Sequence, residues 1–368
     1  MSRSLARHLS QGTSSAKAKT ELVFLHQGLP RTEYYAKELL KHRAAEYYYI
    51  PQLLQRFIPE TFLVNERVRS SVHKYGETQD FQDSLVQLAE KVETSLSRLI
   101  PESGPFLVSN IINEKEHSVQ KSIEDIKKRR SENLIFLPLY SHYWCGEGGL
   151  LLNKIASNFV KSTVPLVRNG KEVHSSRIFQ NSDFSFDIST IARWNDHPVV
   201  SDIWASKLAS STKKFDGIVF AAPRKIGYNK TEYERSLWAS CERVMQRLDH
   251  AFPWKLAFYN SWDSWDLVHC HSVPSAVKSL EGAANDRKVA VVPVAEVIPT
   301  FDTVFTLPKI LEPLETAHLI IPDDASEKLA QGLSELVKNH LLGRRHRQLE
   351  VKCDHCIRSD CSDRDIFL

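Results

Sequence analysis

The chain has 368 residues, 42% of them hydrophobic and 25% charged, a balance that suits one or two α/β domains and excludes a disordered chain. A formal net charge of +3, from 48 Lys and Arg against 45 Asp and Glu, is too small to argue for nucleic acid, and no nucleic-acid-binding signature accompanies it. No apolar run approaches the roughly 20 residues of a membrane-crossing helix, and six cysteines in a chain this long are not the framework of a small secreted disulfide domain.

The first stretch, "MSRSLARHLSQGTSSAKAK", carries Arg3, Arg7, Lys17 and Lys19, many serines and no acid before Glu21. That composition reads residues 1–20 as a mitochondrial transit peptide; a frayed basic terminus is the plain alternative. From Glu21 onward short apolar runs alternate with helical stretches. "ELVFLHQGLP" predicts a buried strand, "FQDSLVQLAEKVETSLSRLI" a helix, "PFLVSNII" and "NLIFLPLY" strands, and "LLLNKIASNFV" a helix after the glycines of "CGEGG". The scheme then repeats. "FDGIVFAAP" predicts a strand, "TEYERSLWASCERVMQRL" a helix, "WKLAFYN" a strand, "PSAVKSLEGAA" a helix and "KVAVVPVAEV" a strand, followed by strand "AHLIIP" and helix "DASEKLAQGLSELVKNHLL". Regular alternation with unbroken apolar strands implies parallel sheets covered on both faces. The expected fold class is therefore α/β with two similar Rossmann-like lobes, over 21–212 and 213–345, a cleft between them, and a cysteine tail over 346–368. Ligands in such folds sit at the carboxyl ends of the strands.

That tail, "VKCDHCIRSDCSDRDIFL", spaces Cys353, Cys356 and Cys361 as C-x2-C-x4-C. Zinc and iron–sulfur sites want four protein ligands, so the fourth must be His355 or a distant residue. Several other chemistries lack their residues: there is no G-x-G-x-x-G after the first strand, no Walker loop, no G-x-S-x-G and no H-E-x-x-H. The aromatic stretches "AEYYYIPQLLQRFIP" and "FYNSWDSWDLVH" would line an apolar pocket for a flat ligand or serve as ordinary packing.

Four segments, "LPLYSHYWC", "STIARWNDHP", "GIVFAAP" and "VAVVPVAEVIPTFDTVFTL", occur in the order and spacing of landmarks in ferrochelatases, which insert ferrous iron into protoporphyrin IX to make haem. The chain resembles that family from about Glu21 to Cys361. The resemblance implies a type II chelatase fold, porphyrin or haem as ligand, and a homodimer peripherally associated with the matrix side of the mitochondrial inner membrane, for which "YYYIPQLLQRFIP" is the candidate lip. Animal-type members carry a [2Fe-2S] cluster on three C-terminal cysteines of this spacing and one internal cysteine after P-x-Y-x-x-Y. "PLYSHYWC" puts Cys145 there, so the resemblance implies a cluster on Cys145, Cys353, Cys356 and Cys361. Four thiolates suit a [2Fe-2S] centre; zinc with His355 or Cys145, and a tail without metal, are the competing readings. Cys241 and Cys270 have no metal spacing.

The departures from the family lie in its catalytic segments. Metal insertion removes two pyrrole protons, so a base must sit at the porphyrin centre. The family supplies a histidine in F-S-A-H-S-L-P; this chain reads Phe220-Ala221-Ala222-Pro223-Arg224-Lys225-Ile226, and Pro223 offers no proton acceptor on its side chain. The family's S-D-H-I-E-T segment becomes Ile298-Pro299-Thr300-Phe301-Asp302-Thr303, so Pro299 and Thr300 replace an acid and a histidine, and Asp302 stands for a glutamate. The arginine of G-F-R-Y aligns with Ile111. His197 matches a family position near the cleft and is the candidate substitute base. His142 and His26, also expected at strand ends, read as hydrogen-bonded structural histidines. Arg224 and Lys225 would repel Fe²⁺ and attract propionates.

Two readings of different class follow. One is a ferrochelatase-like pseudoenzyme that keeps the fold and cluster and binds porphyrin or haem as carrier, sensor or partner subunit. The other is an active ferrochelatase with its base relocated to His197 or Asp302. A structural or redox role through the cluster alone is a third.

Overall fold

The structure is a computed structural model of the chain. The structure describes residues 19–26, 28, 80–112, 118–143, 151–152, 155, 164–168, 171–176, 187–211, 215–224, 230–259, 272–282, 287–322 and 326–343. The cluster cysteines Cys145, Cys353, Cys356 and Cys361, Cys270, Lys225, residues 1–18, the aromatic stretches of 45–59 and 260–269, and most of "LLLNKIASNFV" lie outside these residues.

Two four-stranded sheets dominate, and both are parallel throughout. The first is built from β1 (Thr20–His26), β2 (Phe106–Ile112), β3 (Asn133–Pro138) and β6 (Asp187–Thr190), in the spatial order β2-β1-β3-β6. The second uses β7 (Gly217–Pro223), β8 (Trp254–Tyr259), β9 (Val289–Pro293) and β10 (Ala317–Leu319), in the order β10-β9-β7-β8. Read from the first strand of each set, both follow the order second, first, third, fourth. The two lobes expected from the repeating sequence scheme are present, and they share one strand order. An antiparallel pair, β4 (Val164–Arg168) and β5 (Lys171–Ser176), interrupts the first set.

Period-two alternation within the strands explains why each sheet needs cover on both sides. Leu22 and Phe24 of β1, Ile135 and Leu137 of β3, Ile218 and Phe220 of β7, and Ala290 and Val292 of β9 all enter one central core. Their alternates, Val23, Leu25, Leu134 and Phe136, face a second core, and Val219, Ala221, Val289 and Val291 a third. Helices α1 (Asp80–Leu99), α3 (Pro198–Ser210), α4 (Lys230–Arg247) and α7 (Glu327–Leu341) close the central core between the sheets. Helix α2 (Ser118–Arg129), α5 (Val273–Glu281) and the short α6 (Leu307–Leu311) cover the outer faces.

The last helix does not stay with the sheet that precedes it in sequence. Helix α7 packs against α1 and α3, and His340 Nε2 lies 2.8 Å from Ser189 Oγ on β6. Gly332 makes the approach to α3 possible, because a Cβ there would overlap the Val199 side chain. The carboxyl end of the described chain is thereby carried back to the first sheet.

Candidate functional site

In each sheet the chain crosses to one side of its first strand and then to the other, so the topological switch points fall between β1 and β3 and between β7 and β9. Binding sites of open α/β sheets form outside the carboxyl ends at such points. Three of the four strands concerned end on proline: Pro138, Pro223 and Pro293. A proline has no N–H to give the ladder, so regular pairing stops there and the following residues turn into irregular backbone.

Those irregular segments meet. Tyr140, two residues past β3, pairs with Glu296, three residues past β9, in an isolated antiparallel bridge. Ser141 Oγ donates to the Ala295 carbonyl at 3.3 Å. The two switch points are therefore joined by backbone, and the residues around them form one site.

On the first-sheet side, His26 ends β1. Gly28, at φ 74°, folds back so that its N–H donates to His26 Nδ1 at 2.8 Å, a backbone conformation that glycine adopts without strain. The His26 ring stacks on Tyr140 with centroids 5.6 Å apart. Complete burial pulls its pKa down to about 3, so it is neutral at physiological pH and a poor proton acceptor. His142 is within 3.0 Å of Ser141 Oγ through Nδ1 and of Ser240 Oγ through Nε2, which ties the loop after β3 to α4. His197 caps α3: its Nδ1 accepts from the Val199 N–H at 3.3 Å. Ile111, standing for the family's arginine, is fully buried and in register with Leu25 of β1, inside the second core.

The second-sheet side holds a cluster in which the sequence had pointed to Thr300 and Asp302 but not to Glu296 or Tyr259. Glu296 and Thr300 are 3% and 4% exposed, and Asp302 is 0% exposed. Tyr259 OH donates to Glu296 Oε1 at 2.8 Å, and Thr300 Oγ1 donates to Glu296 Oε2. Asp302 opens a π-helical turn, Asp302–Thr306, and its Oδ1 accepts from Thr306 Oγ1 at 2.7 Å. Thr300 and Thr303 lock the entry to that turn, with Thr300 N–H donating to Thr303 Oγ1 at 2.8 Å. Burial raises the Tyr259 phenol well above its usual range, and the carboxylates of Glu296 and Asp302 push it further in the same direction. The phenol therefore stays protonated and donates. Pro223 ends β7 beside Tyr259, and its carbonyl accepts from Tyr233 OH at 3.3 Å.

One signal could have exposed Glu296. It is the acid that closes the apolar run "VAVVPVA", and a carboxylate placed there is buried unless the run ends early, so it demands donors. Tyr259, at the end of β8 on the far side of β7, is such a donor. Nothing in the linear order pairs the two.

The sequence model of the ferrochelatase family matches residues 19–340, most of the chain and all the elements just described up to the last turn of α7. The chain belongs to the ferrochelatase family. Among curated proteins it is similar to the mitochondrial ferrochelatase of Gallus gallus, at 22% identity over 274 residues, covering 67% of this chain and 61% of that relative. The chain thus spans about three fifths of that ferrochelatase. Among solved structures it resembles a multi-domain protein of Deinococcus radiodurans with structural similarity to chelatases, at 10% identity and a TM-score of 0.40, over 86% of this chain and 54% of that one.

At most of the positions singled out in the sequence the polar groups are already engaged. Pro223 has no basic side chain. Thr300, where the family has histidine, spends its hydroxyl on Glu296. Asp302 is buried and bonded to Thr306, Pro299 lies in the irregular stretch between Glu296 and Thr300, and His197 has a ring nitrogen committed to a helix end. Among the described residues no group of three or more His, Cys, Asp or Glu side chains converges to hold a metal ion.

Proposed function

We propose that this chain is a ferrochelatase-family protein that binds porphyrin or haem without inserting iron efficiently. Family membership supports a role in haem metabolism. The observation that carries the inactive reading is the buried hydrogen bonding at the second switch point. Tyr259 and Thr300 both donate to Glu296, and Asp302 accepts from Thr306, all in the interior, where the enzyme's base and acids would have to face the substrate. The alternative of an active ferrochelatase using His197 or Asp302 finds its two candidates already engaged. Loss of a general base alone lowers rates by about 10²–10⁴.

A [2Fe-2S] cluster on Cys145, Cys353, Cys356 and Cys361 is part of the same proposal. Four thiolates fit that centre. The path of α7 supports it: Gly343 ends the described chain on the side of the first sheet, and Cys145 follows Tyr143 in the segment leading from β3 of that sheet. Nine residues lie between Gly343 and Cys353, and the ten Cα–Cα steps they make reach about 33–36 Å when extended. Location in the mitochondrion, at the matrix side of the inner membrane and as a homodimer, extends the proposal by analogy with the family.

The deciding experiment is an anaerobic Fe²⁺ and protoporphyrin IX turnover assay on the purified chain, with porphyrin fluorescence titration and an absorption spectrum on the same sample. Porphyrin binding without turnover, together with a sulfide-to-iron band that Cys353→Ser abolishes, is the expected outcome. Haem formation at an ordinary enzymatic rate would overturn the inactive reading and return the search to a relocated base.

A further inference from the structure

Arg224 follows Pro223 directly, at the carboxyl end of β7. Its backbone is fixed, since its N–H donates to the Tyr259 carbonyl at 2.7 Å. Its side chain is not matched in the same way. Nε and Nη2 are both buried, and neither has a hydrogen-bond partner among the described residues. These two N–H groups lie on one edge of the guanidinium and point the same way, at the spacing of two carboxylate oxygens.

The chain contains the satisfied version of that edge. At the opposite end of the first sheet, Arg129 places Nε 3.1 Å and Nη2 2.5 Å from Glu21 Oε1, with Nε 3.3 Å from Oε2. Ser109 and Ser131 complete the carboxylate's shell at 2.9 Å and 3.0 Å. Among the described residues Arg129 has an acid on that edge and Arg224 has none. Burying a cationic donor edge without a partner opposes folding, and nothing in the packing of a strand end calls for a guanidinium there.

We propose that the carboxyl end of β7 is a carboxylate receptor, in which the Nε–Nη2 edge of Arg224 takes both oxygens of one ligand carboxylate. The surroundings favour a carboxylate over a phosphate. Tyr259, whose carbonyl holds the Arg224 backbone, carries Glu296 on its hydroxyl, so this strand end already holds negative charge and disfavours a dianion relative to a monoanion. A flat monoanion with two oxygens fills the edge and needs no further donors. Two sources share this chemistry: a porphyrin propionate and a free organic acid. The identity of the ligand rests on the porphyrin-binding proposal, whereas the anion chemistry rests on Arg224 alone.

The test compares protoporphyrin IX with its dimethyl ester by fluorescence titration of the full chain, for wild type, Arg224→Met and Arg224→Lys. Melting temperatures are taken in parallel with succinate and with inorganic phosphate. In wild type the ester is expected to bind about tenfold or more weakly than the acid. That preference disappears in Arg224→Met and survives only partly in Arg224→Lys, which keeps the charge and loses the paired edge. Without ligand, Arg224→Met melts no lower than wild type, because it removes a buried donor edge that nothing satisfies. If neither porphyrin binds but succinate raises the melting temperature through Arg224, the receptor stands with a free acid as its source, and the porphyrin proposal fails. Acid and ester binding alike, with no succinate effect that depends on Arg224, overturns the receptor and leaves porphyrin binding intact. Stabilisation by phosphate in place of carboxylates overturns it as well, as does an Arg224→Met chain that melts well below wild type.

Discussion

A buried polar side chain in this protein is stabilising or costly according to whether its partner comes with it. Glu296 has two hydroxyl donors, and removing one exposes the cost of the other arrangement. Tyr259→Phe keeps the ring and deletes the donor, so it should destabilise the chain by about 1–3 kcal/mol, read as a lower urea midpoint with an unchanged m-value. Glu21 at the far end of the sheet is a stronger case, being fully buried with an arginine and two serines around it. Glu21→Ala leaves Arg129 without its anion and should cost about 3 kcal/mol or more. His26 makes a pH prediction. Its imidazole sits at a pKa of about 3 in the fold against 6.5 outside it. Between those values the unfolded chain holds a proton that the native chain refuses. Stability therefore falls as pH drops from about 6.5 toward 3, by at most about 1.4 kcal/mol per pH unit from this group. His26→Gln should flatten that part of the urea-midpoint profile; an unchanged slope would assign the effect to another residue.

At the level of elements, three prolines stop three strands at the switch points and release the backbone that carries Tyr140, Arg224 and Glu296. The contact between α3 and α7 is the other decisive element pair. Gly332→Ala would thrust a methyl group into Val199, and overpacking of this kind costs about 1–3 kcal/mol. Adding Val199→Ala should recover part of the loss, and a double-mutant cycle on melting data would show the coupling as non-additivity. Additive losses would mean that the helices separate instead of resisting. Since α7 ends beside β6, a loosened α3–α7 contact is also expected to reduce any cluster content, which absorbance per chain would report.

Across the whole molecule, one central core spans both sheets and four helices, so the lobes are not independent bodies joined by a hinge. Unfolding should be a single transition observed alike by tryptophan fluorescence and circular dichroism, with Trp194 and Trp204 both fully buried in that core. The same continuity bears on activity. Restoring a base by Pro223→His leaves Thr300 and Glu296 bonded inside the second switch point. That single substitution is expected to leave iron insertion below detection, measured anaerobically against wild type. A rescue to enzymatic rates would show that the network opens on its own.

The local pattern carried most of the fold. Strands β1, β3, β7 and β9 are unbroken apolar runs, and α1 and α7 are amphipathic repeats, so β-α alternation and two lobes of one topology were legible along the chain. Where local pattern is weak, it misled or was silent. The run "KVAVVPVAEV" continues as apolar sequence, yet β9 stops at Pro293 because proline ends the ladder. Helix α3 is buried on several sides by neighbours, so it lacks the one-sided stripe that marks a surface helix. Strand β6 is only four residues long, and its partner β3 defines it. The reading of Pro223, Thr300 and Pro299 as lost catalytic positions rests on position in the sequence alone, since comparing residue types with a family segment needs no contact. The pairing of Glu296 with Tyr259, and the unmatched edge of Arg224, belong to the tertiary structure. A side chain's partner is set by which strand ends meet in space, and residues 37 apart in sequence meet only after the sheet has formed.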